Sequence, residues 1–228
     1  NGVDVVGLRR NAVELYSVAD GSPIVREPEI VTEEMSAVQK GGYAHFMHKE
    51  IHEQPQVARE LLHLLKRHEE MARILRAIRG ARNLYLIGCG TSYHACLVGS
   101  VYFSRIAGRV TIPVLAPQFI AQYAPAVGPR DVGIFVSQSG ETKDVLNAIE
   151  AGKQRGMGIF SLVNVVGSTM TRISERSLPL ACGYEISVPA TKTFTNQVLS
   201  FLYLAYRLAG LVTANLAVIP DLMVKTLE

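Results

Sequence analysis

The feature of this sequence that most restricts its fold is a series of short apolar runs that begins after Gly80. The five runs are NLYLIG, VTIPVLA, VGIFVS, GIFSLVN and SLPLACG, and all but the last pair are separated by helix-length segments. Strands that are apolar at consecutive positions are typical of a parallel sheet that helices cover on both faces, with right-handed crossovers. The pattern predicts an α/β fold, a three-layer αβα sandwich with a five-stranded parallel sheet. The strand order expected for it is the flavodoxin-like order 2-1-3-4-5.

The segments before this series have a different character. Residues 1–42 carry short apolar runs between Asp-Gly and Pro turn signals, which predicts a hairpin-like end of another domain and an extended linker, without a core of its own. Residues 43–228 are then expected to form one domain. Helical spacing from Phe46 to about Arg79 predicts two helices, and Pro55 stands where the first would stop. The run VLSFLYLAYRLAGLV, which contains Arg207, predicts a buried core helix.

Composition and charge exclude several classes of protein. The net charge of +3 is spread along the chain without a basic block, which argues against nucleic-acid binding. Cys89, Cys96 and Cys182 form no CxxC pair, which indicates neither a disulfide framework nor a zinc site and fits a reducing cytoplasm. No segment has the pattern of a signal peptide or of a membrane span, so no membrane partner is expected. The lack of an initiating methionine suggests a fragment or a processed chain.

Two loops of the predicted sheet are candidates for ligand binding. In this strand order, ligands bind beyond the carboxyl ends of strands one and three, where GCGTSY (88–93) and SQSGET (137–142) stand. Hydroxyl donors, a glycine that allows close approach and a helix N-terminus together suit a phosphate dianion. The sequence therefore predicts a phosphomonoester site. The alternative is that Ser139 or Thr142 only caps the following helix, with Glu141 beside its dipole.

Other ligand classes fit the residues less well. A dinucleotide fingerprint would need glycine where Tyr93 stands and an acidic residue after the second strand, and no Walker loop occurs. His48 and His52 are separated by Lys-Glu-Ile, so the HExxH order is not met and an exposed or interfacial helix face is favoured over a metal site. Cys89 is expected to be a packed thiol rather than a reactive one.

Four motifs together resemble a known family. HFMHKEIHEQP, GCGTSYHA, SQSGETKD and EISVPATKTFTNQ, in this order, resemble the isomerase region of the glutamine:fructose-6-phosphate amidotransferases, which has the sugar isomerase (SIS) fold. The first forty or so residues resemble the end of that family's glutaminase domain and its linker, and the rest resembles the first of two SIS subdomains. Ala190 stands where the family often has a serine that contacts the sugar. The sugar-phosphate contacts that the resemblance implies are Thr91, Ser92, Ser137, Gln138, Ser139, Thr142 and the backbone at Val188.

The resemblance also implies an activity and its partners. The family converts fructose 6-phosphate and glutamine to glucosamine 6-phosphate and glutamate, with no metal or organic cofactor. The implied partners are the glutaminase domain and second SIS subdomain of the same polypeptide, and a second copy in a homodimer. The family's catalytic residues of the isomerase half belong to the second subdomain, so none is expected in this chain. A stand-alone SIS module that senses a sugar phosphate, and a related deglycase or isomerase, remain as alternatives.

Overall fold

The computed structural model describes residues 4–9, 12–25 and 39–228, and the chain divides into two compact units, 1–35 and 36–228. In the first unit, three antiparallel strands form a small sheet: β1 (Asp4–Arg9), β2 (Ala12–Ser17) and β3 (Pro23–Ile24). None of the side chains described in this sheet is buried. The assignment of residues 1–42 to a neighbouring domain and its linker stays a prediction, and residues 1–3, 10–11 and 26–38 of this stretch lie outside the described ranges.

The second unit contains the predicted five-stranded parallel sheet, in the order β5-β4-β6-β7-β8. This confirms the 2-1-3-4-5 order. The strands are β4 (Leu84–Gly88), β5 (Ile112–Leu115), β6 (Val132–Ser137), β7 (Gly158–Val163) and β8 (Arg176–Pro179). The helices are α1 (Phe46–Arg67), α2 (Met71–Gly80), α3 (Gly90–Ala107), α4 (Ala116–Gln122), α5 (Lys143–Gln154), α6 (Thr169–Ile173), α7 (Lys192–Leu208) and α8 (Val218–Leu227), and a 3-10 turn covers Thr213–Ala217.

Each face of the sheet carries its own hydrophobic cluster. Along β4, Leu84 and Leu86 pack with α1, α2, α3 and α7, while Tyr85 and Ile87 pack on the opposite face with α4 and α5. This alternation is the period of a strand buried on both sides. The predicted core helix is α7, as its fully buried Phe201 and Leu204 show. Within the described residues, no helix combines the length and apolarity that crossing a membrane requires.

The helix break expected at Pro55 is wrong, because α1 continues through this residue. A proline has no N–H to give to the carbonyl four residues earlier, here that of Ile51. The Gln54 side chain donates to that carbonyl instead, with Nε2 3.1 Å from the oxygen. The break between the two helices falls after Arg67.

Asp131 connects the beginnings of β4 and β6. Its carboxylate is fully buried and accepts hydrogen bonds from Arg82 (Nε, 3.0 Å; Nη2, 2.5 Å), the N–H of Gly128 (2.8 Å) and both the main chain (3.2 Å) and side chain (3.0 Å) of Asn83. Burial alone would raise the pKa of Asp131, but these hydrogen bonds outweigh it and lower the pKa.

Asp131→Asn should therefore lower the free energy of unfolding at neutral pH by about 2–4 kcal/mol, because it removes the ion pair and places an NH2 group among donors. The folded pKa lies below the unfolded value of about 3.9, so the contribution is present above that value and is lost as the pH falls through the folded pKa. Urea unfolding of both proteins from neutral to strongly acidic pH measures this difference.

The matched control is Asp221→Asn, which removes an exposed ion pair with Arg59 (2.8 Å) and should cost less than about 1 kcal/mol. A gap between wild type and Asp131→Asn that stays constant down to strongly acidic pH would contradict the role given to the Asp131 charge.

Candidate functional site

The two predicted loops leave the sheet from adjacent strands. The strand order reverses between β4 and β6, and in their parallel register Gly88 pairs with Val136. Parallel neighbours lie about 4.8 Å apart, so GCGTSY and SQSGET begin side by side at the carboxyl edge. This is the position where ligands bind in open α/β sheets of this kind.

The SQSGET loop is folded by its own hydroxyl groups. Ser137 ends β6 and is buried; its Oγ accepts the N–H of Gly140 (3.0 Å) and lies 3.1 Å from Oγ1 of Thr142. The Oγ of Ser139 accepts the N–H of Glu141 (3.2 Å). Because this oxygen is the acceptor, the hydroxyl hydrogen of Ser139 stays available to a ligand.

Helix α5 follows this loop and has no side-chain cap. Its N-cap residue is Thr142, which makes no capping hydrogen bond, and the bond that Ser139 accepts comes from a residue before the helix. The alternative in which Ser139 or Thr142 only caps this helix is therefore wrong. The free N–H groups of the first turn and the positive end of the helix dipole therefore lie where the SQSGET loop ends.

Glu141 serves a different helix. Its Oε1 accepts the N–H of Thr169 (2.7 Å), the first residue of α6. This hydrogen bond, with a smaller contribution from the charge of Arg172, lowers the pKa of Glu141. The carboxylate is ionised at neutral pH and is held by α6, whereas the sequence suggested that it sits at the dipole of α5.

The first loop contributes one buried and one exposed hydroxyl. Ser92 is buried, and its Oγ accepts a hydrogen bond from Nε2 of Gln197 (3.0 Å), which again leaves the hydroxyl hydrogen free to donate. Thr91 is exposed. Burial raises the pKa of the Cys89 thiol, in agreement with a packed and protonated cysteine. Sequence reasoning missed Gln197, although it closes the fourth motif.

Val188 lies in the segment between β8 and α7, and its side chain is fully exposed. No described hydrogen bond joins it to the other predicted site residues. The apolar run SLPLACG is a strand only in its first half, so this segment begins earlier than the sequence predicted. Strand β8 ends at Pro179, and Ala181 has the left-handed φ of 54°. Ala181 is the only non-glycine residue with positive φ in the described ranges, and such strained positions are frequent at functional loops.

Asn164 joins this segment to the SQSGET loop. Its main-chain N–H donates to the carbonyl of Gln138 (3.2 Å), while its side chain donates to the carbonyl of Gly183 (2.7 Å) and accepts the N–H of Cys182 (2.9 Å). Sequence reasoning did not single out Asn164. The signal was a polar residue directly after the buried strand β7.

Two other features share no residue with the two loops. The rings of His48 and His52 are 4.7 Å apart and pack with Tyr43 on an exposed face of α1. A cavity of about 720 Å³ opens beside α1, α7 and α8, with Lys66 and Arg207 in its lining. None of the predicted sugar-phosphate residues lines this cavity.

Comparison with known proteins identifies the fold family. The model of the family described as SIS domain matches residues 77–207, more than half of the chain. The chain belongs to the SIS domain family. The C-terminal domain of glucosamine-fructose-6-phosphate aminotransferase from Francisella tularensis has a TM-score of 0.69 to this SIS chain at 24% identity, covering 83% of this chain and 55% of that one, which shows the shared fold.

Curated relatives agree with the resemblance carried by the four motifs. Glutamine–fructose-6-phosphate aminotransferase (isomerizing) of Pyrobaculum aerophilum is 40% identical over 227 residues, which are 95% of the SIS chain and 37% of the relative. The protein of the same name from Aquifex aeolicus is 38% identical over 204 residues, 90% of this chain and 34% of the relative. The chain therefore spans about a third of the length of these relatives.

The close approach of α6 to the SQSGET loop gives a test of its packing. Gly140 (φ 69°) and Gly167 (φ 79°) both have left-handed backbones, so alanine at either should cost about 1–2 kcal/mol. A Cβ at Gly140 would lie 2.2 Å from Oγ of Ser168, whereas a Cβ at Gly167 would meet nothing within 4 Å. Gly140→Ala should therefore destabilise the chain by about 1–3 kcal/mol more than Gly167→Ala in urea unfolding. Equal losses would show that the loop can move away from α6 freely.

Proposed function

We propose that this chain is the sugar-phosphate-binding SIS part of an enzyme that converts fructose 6-phosphate and glutamine to glucosamine 6-phosphate and glutamate. The observation that carries the proposal is the uncapped N-terminus of α5 behind the hydroxyl-lined SQSGET loop, beside the Ser92 hydroxyl. Convergent hydroxyl and N–H donors at a helix N-terminus suit a phosphate dianion. The names of the curated relatives support the choice of sugar and reaction.

The phosphate and the sugar are assigned to different residues. Ser92 and the SQSGET loop, through Ser137, Gln138, Ser139 and Thr142, hold the phosphate. Thr91 and the backbone at Val188 contact the sugar. Ala190 has no hydroxyl, so a contact that the family often makes is absent at this position.

The remaining parts of the enzyme are proposed to lie outside this chain. They are a glutaminase domain that releases ammonia, a second SIS subdomain that supplies the catalytic residues, and a second copy in a homodimer, in the cytoplasm. This division is supported by the length of the chain, which spans only about a third of the length of the curated relatives. The full-length reading frame separates this proposal from a stand-alone sensor. The proposal expects it to continue past Glu228 into a second αβα unit and to place a domain that begins with cysteine before Asn1.

Calorimetry on the 228-residue chain tests the phosphate site. Fructose 6-phosphate and glucose 6-phosphate should bind, while fructose should not, because the donors surround the phosphate. Ser137→Ala/Ser139→Ala removes two donors to a charged group, each worth roughly 1.5–3 kcal/mol, and should weaken binding at least tenfold. Ser104→Ala, on the exposed face of α3, is the control and should bind as wild type does. Equal binding of fructose, or an unchanged dissociation constant in the double variant, would refute the site.

The isolated chain should have no synthase activity, even with ammonia in place of glutamine. Proton transfer between C1 and C2 needs a base within hydrogen-bond reach of the sugar, which typically contributes about 10²–10⁴ in rate. Glu141 is the only carboxylate of the two loops, and its bond to Thr169 holds it at α6. Purified chain, fructose 6-phosphate and ammonium should yield no glucosamine 6-phosphate above background. Product that disappears in Glu141→Gln would identify Glu141 as the base.

A further inference from the structure

The motif HFMHKEIHEQP on α1 has no part in the phosphate site, yet three of its side chains bind either the segment that carries Val188 or the first turn of α7 that follows it. Glu50, Glu53 and Gln54 follow the i, i+3, i+4 spacing that places residues on one helix face. Their partners all lie in the range 186–195, more than 130 residues later in the chain. The face of α1 is therefore a support for this segment.

Glu50 makes the contacts nearest to Val188. Its Oε1 accepts the N–H groups of Ile186 (2.6 Å) and Ser187 (3.1 Å), and its Oε2 accepts the hydroxyl of Ser187. Glu50 is 2% exposed. A buried carboxylate is costly unless its oxygens are hydrogen-bonded, and here the segment itself supplies the donors.

Glu53 and Gln54 hold the first turn of α7, where the segment ends. Oε2 of Glu53 pairs with the buried Nζ of Lys192 (2.6 Å), and Oε1 of Gln54 accepts the hydroxyl of Thr195. Because the amide nitrogen of Gln54 is bound to the carbonyl left free by Pro55, its oxygen is the atom turned toward Thr195. The segment is thus attached at its C-terminal end independently of Glu50.

Residues 184–186 have no regular secondary structure, and Val188 contributes no packing of its own because its side chain is fully exposed. The two backbone N–H groups just before Val188 are fixed by Glu50. A main-chain contact to a ligand is strong only if the backbone is held in place before binding.

We propose that Glu50 is a positioning residue, whose buried carboxylate fixes the main chain at Ile186 and Ser187 so that the backbone at Val188 meets the sugar. This role rests on the proposed function, since it assumes that Val188 contacts the sugar. Glu50 acts on the sugar contact and leaves unaffected the phosphate contacts, which lie at the start of α3, at the end of β6 and in the SQSGET loop.

The test compares two probes, fructose 6-phosphate and inorganic phosphate, on wild type and Glu50→Ala. The alanine variant should bind fructose 6-phosphate about tenfold more weakly, while its affinity for phosphate should change by less than about twofold. Hydrogen exchange at the amides of Ile186 and Ser187 should become faster. A loss of stability alone would weaken the binding of both probes equally, or the binding of neither.

Glu50→Gln is the conservative variant. Its amide oxygen can accept both N–H groups, and its nitrogen can donate to Oγ of Ser187, whose one hydroxyl hydrogen can then go to the carbonyl of Pro189 (3.0 Å in wild type). We expect it to restore fructose 6-phosphate binding to within about threefold of wild type. Ser187→Ala, which removes one of the three bonds, should give a smaller loss with the same pattern if Glu50→Ala does not fold. Glu60→Ala, exposed on the same helix, is the control.

The outcomes separate the two proposals. Wild type that binds no fructose 6-phosphate refutes the proposed function, and the role of Glu50 falls with it. The role of Glu50 alone is refuted if wild type binds fructose 6-phosphate and Glu50→Ala binds it equally well. It is also refuted if Glu50→Ala loses affinity for phosphate to the same extent as for fructose 6-phosphate.

Discussion

The parallel pairing of β4 with β6 is the constraint on which the rest of the site depends. Every residue of both strands is buried, so neither strand can shift its register without exposing apolar surface or burying polar loop residues. Polar groups therefore begin where the strands end, at Gly88 and Ser137. Because the strands are neighbours and parallel, these two ends are adjacent. The helices that follow, α3 and α5, start from the same edge and direct their N-termini toward it.

The loops at this edge are held by polar groups from distant parts of the chain. Gln197 reaches Ser92, Asn164 joins the carbonyl of Gln138 to the segment after β8, and Glu50 holds that segment from α1. Glu50 and Gln197 are buried, each bonds to a residue of another motif, and buried polar groups are stable only when they are paired. These bonds give a physical reason why the first, second and fourth motifs occur together in one chain, since the loss of one would leave unpaired groups in another.

The parts of this architecture that could be predicted are those set by local apolar pattern. The five strands and the place of the loops after them follow from continuous apolar runs. The path of α1 through Pro55, by contrast, is accompanied by a compensating hydrogen bond from Gln54 that no sequence pattern predicts. The early end of β8 follows from the backbone at Ala181, and the bond of Glu141 to α6 follows from tertiary packing. Glu50 lies within a recognised motif, but its partners are 136 and 137 residues away. Contacts at such separation cannot be inferred from spacing in a single sequence.

The position of Glu141 bears on how binding and chemistry are divided in a protein of this kind. A carboxylate turned toward a bound phosphate dianion would weaken binding by repulsion, and the dianion would raise its pKa. In this chain the carboxylate is bound to the N-terminus of α6, where a backbone donor lowers its pKa and keeps its charge away from the hydroxyls of the loop. The hydroxyls of the SQSGET loop are thereby kept clear of the Glu141 charge. A carboxylate held in this way favours anion binding at the neighbouring loop over proton abstraction by Glu141 itself.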